Sequence, residues 1–184
     1  MAEKKRKGRK AYLEDFHRDE KGDYVYKGEF YRWQGEDKEL RRGRIWLWVL
    51  CAGMIAAIAA AGCVEAPGTV NCVYILLPYT INFVAGISVC WGLYRLTAGG
   101  DPMRAYIYKA SVEQIPARAV CTGIGAGAAV IGELIFVCRN GLGGKAAGFV
   151  LFLLLETAVL AAAVLTWRCV KKMKWNKVTA RMEG

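Results

Sequence analysis

Ile45 to Val64, Ala66 to Tyr94, Ala119 to Cys138 and Ala146 to Trp167 hold only two charged residues between them, Glu133 and Glu156. Charge-poor runs of this kind, roughly 20 residues long, match the ~30 Å hydrocarbon layer at about 1.5 Å rise per helical residue. Buried helices of a soluble domain would carry a polar face, and these tracts carry none. With 23% charged residues, composition alone would pass for a soluble domain; it is the segregation of charge that excludes one. The expected fold is therefore all-α: an integral membrane four-helix bundle over residues 45–167. Spans are expected near 45–64, 70–94, 117–138 and 146–167. Residues 1–44 form an N-terminal segment, 95–116 a middle loop and 168–184 a tail. The first tract begins too late and runs too long for a secretory signal peptide, so it is read as an uncleaved span.

Sidedness follows from the basic residues. Of 26 Lys and Arg, only Arg139 and Lys145 fall in the short turns on one side, and all others lie in the N-terminal segment, the middle loop and the tail. The positive-inside rule puts those three segments in the cytoplasm, which suits a cell membrane protein. Trp46, Trp48, Trp91, Tyr94 and Trp167 fall at the same ends of their tracts, as an interfacial aromatic belt requires. The external side reduces to Glu65–Thr69 and Arg139–Lys145, turns rich in Gly, Pro and Asn.

Glu156 stands near the centre of the fourth tract, where an ionised side chain costs about 2.5 to 3.5 kcal/mol on insertion scales. It should face the bundle interior and meet a polar neighbour of equal depth. Asn82 and Thr80 in the second tract are the candidates. Glu133 lies nearer the outer end of the third tract, within reach of water and of Arg139. Pro78 removes a helical donor and frees the carbonyl of Tyr74, so a kink is expected there. In the third tract Gly123/Gly127 and Ala128/Gly132 repeat small residues at a spacing that lets backbones approach, marking a packing face. Cys63 and Cys72 bracket the first outer turn and could form a disulfide in an oxidising exterior. With one His, His17, and no CxxC, no metal site is expected, and no cofactor motif or catalytic constellation is visible.

On the cytoplasmic side, Lys4, Lys5, Arg6, Lys7, Arg9 and Lys10 form a basic tract beside a membrane span. Attraction to anionic lipid is the expectation, ahead of nucleic acid. Tyr24, Tyr26, Phe30, Tyr31 and Trp33 then cluster around Gly28. Tyr26-Lys27-Gly28-Glu29-Phe30 resembles the opening half of a membrane occupation and recognition nexus repeat; the glycine pattern of the second half is absent. A short aromatic β-hairpin, resting on the membrane face or offered to a partner, is expected. In the middle loop, Asp101 as N-cap and Pro102 at the first helical position would start a short interfacial helix presenting Met103, Tyr106, Ile107 and Ala110 on one face.

Two functions fit. A non-enzymatic accessory or scaffold subunit, bound to a membrane protein partner or to further copies of itself, accounts for the small outer surface and the aromatic cytoplasmic segment. The alternative is a small transporter or channel using Glu156 as a proton or cation site. In its four-span plan with an embedded Glu the chain resembles the small multidrug resistance transporters. Their key Glu lies in the first span and their termini are short, so the resemblance covers topology only.

Overall fold

The structure, a computed structural model, describes residues 16–18, 22–69 and 72–179. The basic tract Lys4–Lys10 lies outside the described residues. Four long helices dominate: α1 (Asp37–Gly62), α2 (Val73–Ala98), α4 (Ile115–Asn140) and α5 (Ala146–Lys172), with a single short one, α3 (Ala105–Ala110), in the middle loop. The four long helices are long and apolar enough to cross a membrane. Each packs on two neighbours, α1 on α2 and α5, and α4 on α2 and α5. The result is a four-helix ring in which α1 faces α4, and α2 faces α5, across the axis.

The inward stripes explain this packing. Buried residues on α1 recur at Leu47, Cys51, Met54, Ile58 and Ala61, and on α5 at Phe152, Glu156, Val159, Ala163, Thr166 and Val170. Steps alternating between four and three keep one narrow seam on the bundle side, as in left-handed helix bundles. The opposite faces remain apolar: Ile45, Leu77, Val84, Ile124, Ile131 and Leu154 are all exposed. Helices greasy on both sides need a further apolar surface to cover them.

Helix ends depart from the apolar tracts. α1 begins at Asp37, inside the segment expected to precede the bundle, because Asp37 and Glu39 suit the positive end of its dipole and Leu40 is already buried. α2 runs unbroken through Pro78 from Val73 to Ala98. The middle loop also differs. Arg104, not Asp101, is the N-cap of α3. Met103 belongs to a strand and is fully buried.

That strand is part of a collar at one end of the bundle. β3 (Glu29–Trp33) lies between β4 (Met103–Arg104) and β5 (Trp175–Thr179), both antiparallel to it. β1 (Phe16–Arg18) and β2 (Tyr24–Tyr26) form a separate antiparallel pair. The aromatic segment is thus not one hairpin: β2 and β3 go to different sheets, because β3 takes its partners from the loop and the tail. Pairing with β3 brings the N-terminal segment, the middle loop and the tail to the same end. Tyr31 stacks flat on Tyr108 of α3 at 3.9 Å between ring centroids, and Trp33 meets Trp175 edge-on at 5.6 Å. On the other side of the strand Phe30 packs edge-on against Tyr26, which also meets Phe16 and Tyr106. An ion pair between Lys177 and Glu29 crosses β5 to β3, and the Glu29 carboxylate holds the Lys177 ammonium above its ordinary value.

Candidate functional site: two buried carboxylates

Among the described residues one side-chain hydrogen bond crosses the bundle axis. Asn82 Nδ2 on α2 donates to Glu156 Oε2 on α5 at 2.8 Å, and both side chains are fully buried. The two helices face each other across the axis, so this bond bridges the ring rather than one of its edges. Asn82 Oδ1 and Glu156 Oε1 accept no hydrogen bond from the described residues. Thr80 takes no part: its hydroxyl is exposed and donates to Leu76 O of its own helix at 2.8 Å. Thr80 and Asn82 are two positions apart, about 200° around a helix, so they turn to different faces.

Gly125 brings α4 against this part of α2. A Cβ there would lie 3.0 Å from Pro78 O and 3.0 Å from Asn82 N. Gly132, about two turns on, meets Tyr74 O, which a Cβ would approach to 3.0 Å. Tyr74 O is the carbonyl that Pro78 leaves without its helical donor, and the small residue opposite lets α4 cover it. Of the four small residues expected to pack, Gly123 and Gly132 are buried, and they face different helices. Gly123 is turned toward Leu160 and Ala163 of α5, whereas a Cβ at Gly127 would meet nothing within 4 Å and Ala128 is only half-buried. Gly125 was legible only through its partner: its spacing to Ala129 and Gly132 follows the seam, while the spacing of four from Gly123 leads off it. Tyr79, which no sequence pattern singles out, donates to Ile58 O of α1 at 2.7 Å, so α2 is fastened to α1 beside Pro78.

Glu133 sits at the other end from the collar. It does not reach water, and Arg139 is not its partner. Its carboxylate is fully buried beneath the α1–α2 turn, where Oε1 accepts the backbone N–H of Gly68 at 3.2 Å. A side chain at Gly68 would strike Ile75 and come within 2.8 Å of Phe136. Glycine is what lets the turn settle on the acid. Nearby, Lys145 of the second turn pairs with Glu65 of the first at 3.7 Å.

The cysteines are arranged otherwise than expected. Cys63 and Cys72 are free thiols, and the disulfide joins Cys51 of α1 to Cys90 of α2, with Cα atoms 6.1 Å apart. Cys51 lies on the buried stripe of α1, whereas Cys63 is exposed beyond its helix end. Helix phase, not closeness to the turn, decides which thiols meet. Among the described residues no group of His, Cys, Asp and Glu could hold a metal ion.

No family model, no curated protein and no solved structure matches the chain.

Proposed function

We propose that the protein spans a membrane four times, with the collar end in the cytoplasm, and serves as a non-enzymatic accessory or scaffold subunit of a membrane complex. The observation that carries this reading is the collar. Three segments remote in sequence converge in the β4-β3-β5 sheet, which gives the protein one built surface beside the bundle. Among the described residues the opposite end has only two short turns. Insertion is supported by the exposed apolar faces and by Trp46, Trp48, Trp91, Tyr94 and Trp167, which all point outward toward the collar end of their helices. The partner is a membrane protein or a second copy, met through the collar and an adjoining apolar face. Gentle extraction into nanodiscs, native mass measurement and cross-linking from the collar test this. A partner or a higher multiple of the 20.3 kDa chain should be retained, and Tyr31→Asp should release it while leaving the bundle helical. A lone chain in every extraction would end the proposal.

The transporter reading draws on one specific observation, the two acceptor atoms of Asn82 and Glu156 at the axis without a donor among the described residues. Such a pair can take up a proton or a small cation. In proteoliposomes, Glu156→Gln should then abolish a pH-linked flux with native mass unchanged. Equal flux in both proteins would exclude it.

A further inference from the structure

Where α2, α3 and α4 meet at the collar end, they border a half-open cavity of about 1060 Å³. Trp91, Tyr94 and Arg95 line it from α2, Tyr106 from α3, and Gln114 and Arg118 from the start of α4. No acidic residue is among the described lining residues. Arg118 is held in place by neutral acceptors: Nη1 donates to Ser88 O at 2.8 Å and Nη2 to the Gln114 side-chain oxygen. Gly92 makes room for it, since a Cβ there would lie 3.3 Å from Arg118 Nη1. The Arg95 guanidinium rests 5.3 Å from the centre of the Trp91 ring. Neither arginine forms an ion pair among the described residues.

Two guanidiniums thus share one cavity and repel each other, with no carboxylate of the described residues lining it. One is already oriented, which lowers the ordering cost of binding an anion. Planar forks of donors suit phosphate oxygens, and the flanking Trp91 and Tyr94 suit the level of a bilayer headgroup. Ala98, Ile107 and Ala110 give the cavity an apolar wall, which a free phosphate would not need. We infer that this cavity binds the phosphate of an anionic glycerophospholipid from the leaflet at the collar end, with Arg95 and Arg118 holding the phosphate. The inference rests on the bundle being membrane-inserted, and it is independent of whether the protein has a partner subunit.

Native mass spectrometry of the full chain released from nanodiscs containing phosphatidylglycerol and phosphatidylcholine tests it. One phosphatidylglycerol should be retained in preference to phosphatidylcholine. Arg95→Gln, at an exposed position, should weaken retention about fivefold, and adding Arg118→Gln should weaken it about fivefold again. The pair Arg41→Gln and Arg42→Gln removes the same charge from exposed sites on α1 and should change it less than about twofold. Excess inorganic phosphate should not displace the lipid. Retention unchanged in Arg95→Gln, or an equal loss in the α1 pair, would overturn the site. Displacement by inorganic phosphate would overturn the lipid assignment in favour of a soluble phosphate compound.

Discussion

Glu133 and Glu156 are the same residue, each fully buried on the inward seam of its helix, yet they are bound to different things. Glu133 accepts a backbone N–H from a turn, so its carboxylate fastens a loop to the end of the bundle. Glu156 accepts from a side-chain amide on the helix opposite, so its carboxylate ties two helices that otherwise barely touch. The Gly68 donor is a backbone N–H that every residue except proline supplies, whereas the Asn82 donor depends on its side chain. The difference therefore separates a structural acid at the rim from a central acid whose partner is open to selection. Each acid also keeps one buried oxygen without a donor among the described residues, Glu133 Oε2 and Glu156 Oε1; only at Glu156 is a second such acceptor, Asn82 Oδ1, on the residue it is bonded to.

The largest effect should come from breaking the support of the central acid without touching the rim. Gly125→Val pushes two methyl groups toward Pro78 O and Asn82 N, and overpacking of this kind costs about 1–3 kcal/mol. The Asn82–Glu156 contact should be lost while the Gly68–Glu133 contact persists. Gly127→Val, whose Cβ meets nothing within 4 Å, should stay within about 0.5 kcal/mol. Unfolding by SDS titration in bicelles measures both. Equal destabilisation by the two would mean that α4 does not approach α2 through Gly125.

A middle-sized effect tests the bridge itself. Asn82→Leu removes the one donor that Glu156 has, and a transmembrane side-chain hydrogen bond is worth about 0.6 kcal/mol on average and about 1.7 at most. Adding Glu156→Leu removes the stranded acid as well, so the double variant should be more stable than the sum of the singles implies. A double-mutant cycle with no coupling would dissolve the distinction between the two acids.

How much of this could be read in advance depends on range. The long helices are local: an unbroken apolar run specifies its own helix, and position within two runs is enough to set Asn82 level with Glu156. The collar is not local. β3 finds its partners at Met103–Arg104 and Trp175–Thr179, and nothing within Tyr24–Trp33 distinguishes that outcome from a hairpin closing on itself. Glu133 illustrates a third case. Its position near a helix end suggested water, but whether a turn folds over such a site depends on the path of Glu65–Thr69, where Gly68 alone permits the close approach. The cysteines failed for a related reason. Sequence distance from the turn put Cys63 beside Cys72, while the facing of α1 and α2 put Cys51 beside Cys90.

The smallest expected effect sharpens the comparison from the rim. Glu133→Gln keeps an oxygen where Oε1 now accepts from Gly68, so the turn should remain fastened and stability should change by less than about 0.5 kcal/mol. Glu133→Ala removes the acceptor and leaves the Gly68 N–H beneath the turn unpaired, at about 1 kcal/mol. Hydrogen exchange at the Gly68 amide reads the difference directly: protected in the parent and in Gln, faster in Ala. The same pair of substitutions at Glu156 should leave Gly68 exchange untouched, because Asn82 lies about two and a half turns into α2, away from the turn that precedes it. If Glu133→Gln frees the Gly68 amide as fully as Ala does, the rim acid acts through its charge, and the contrast between the two carboxylates collapses into one of position alone.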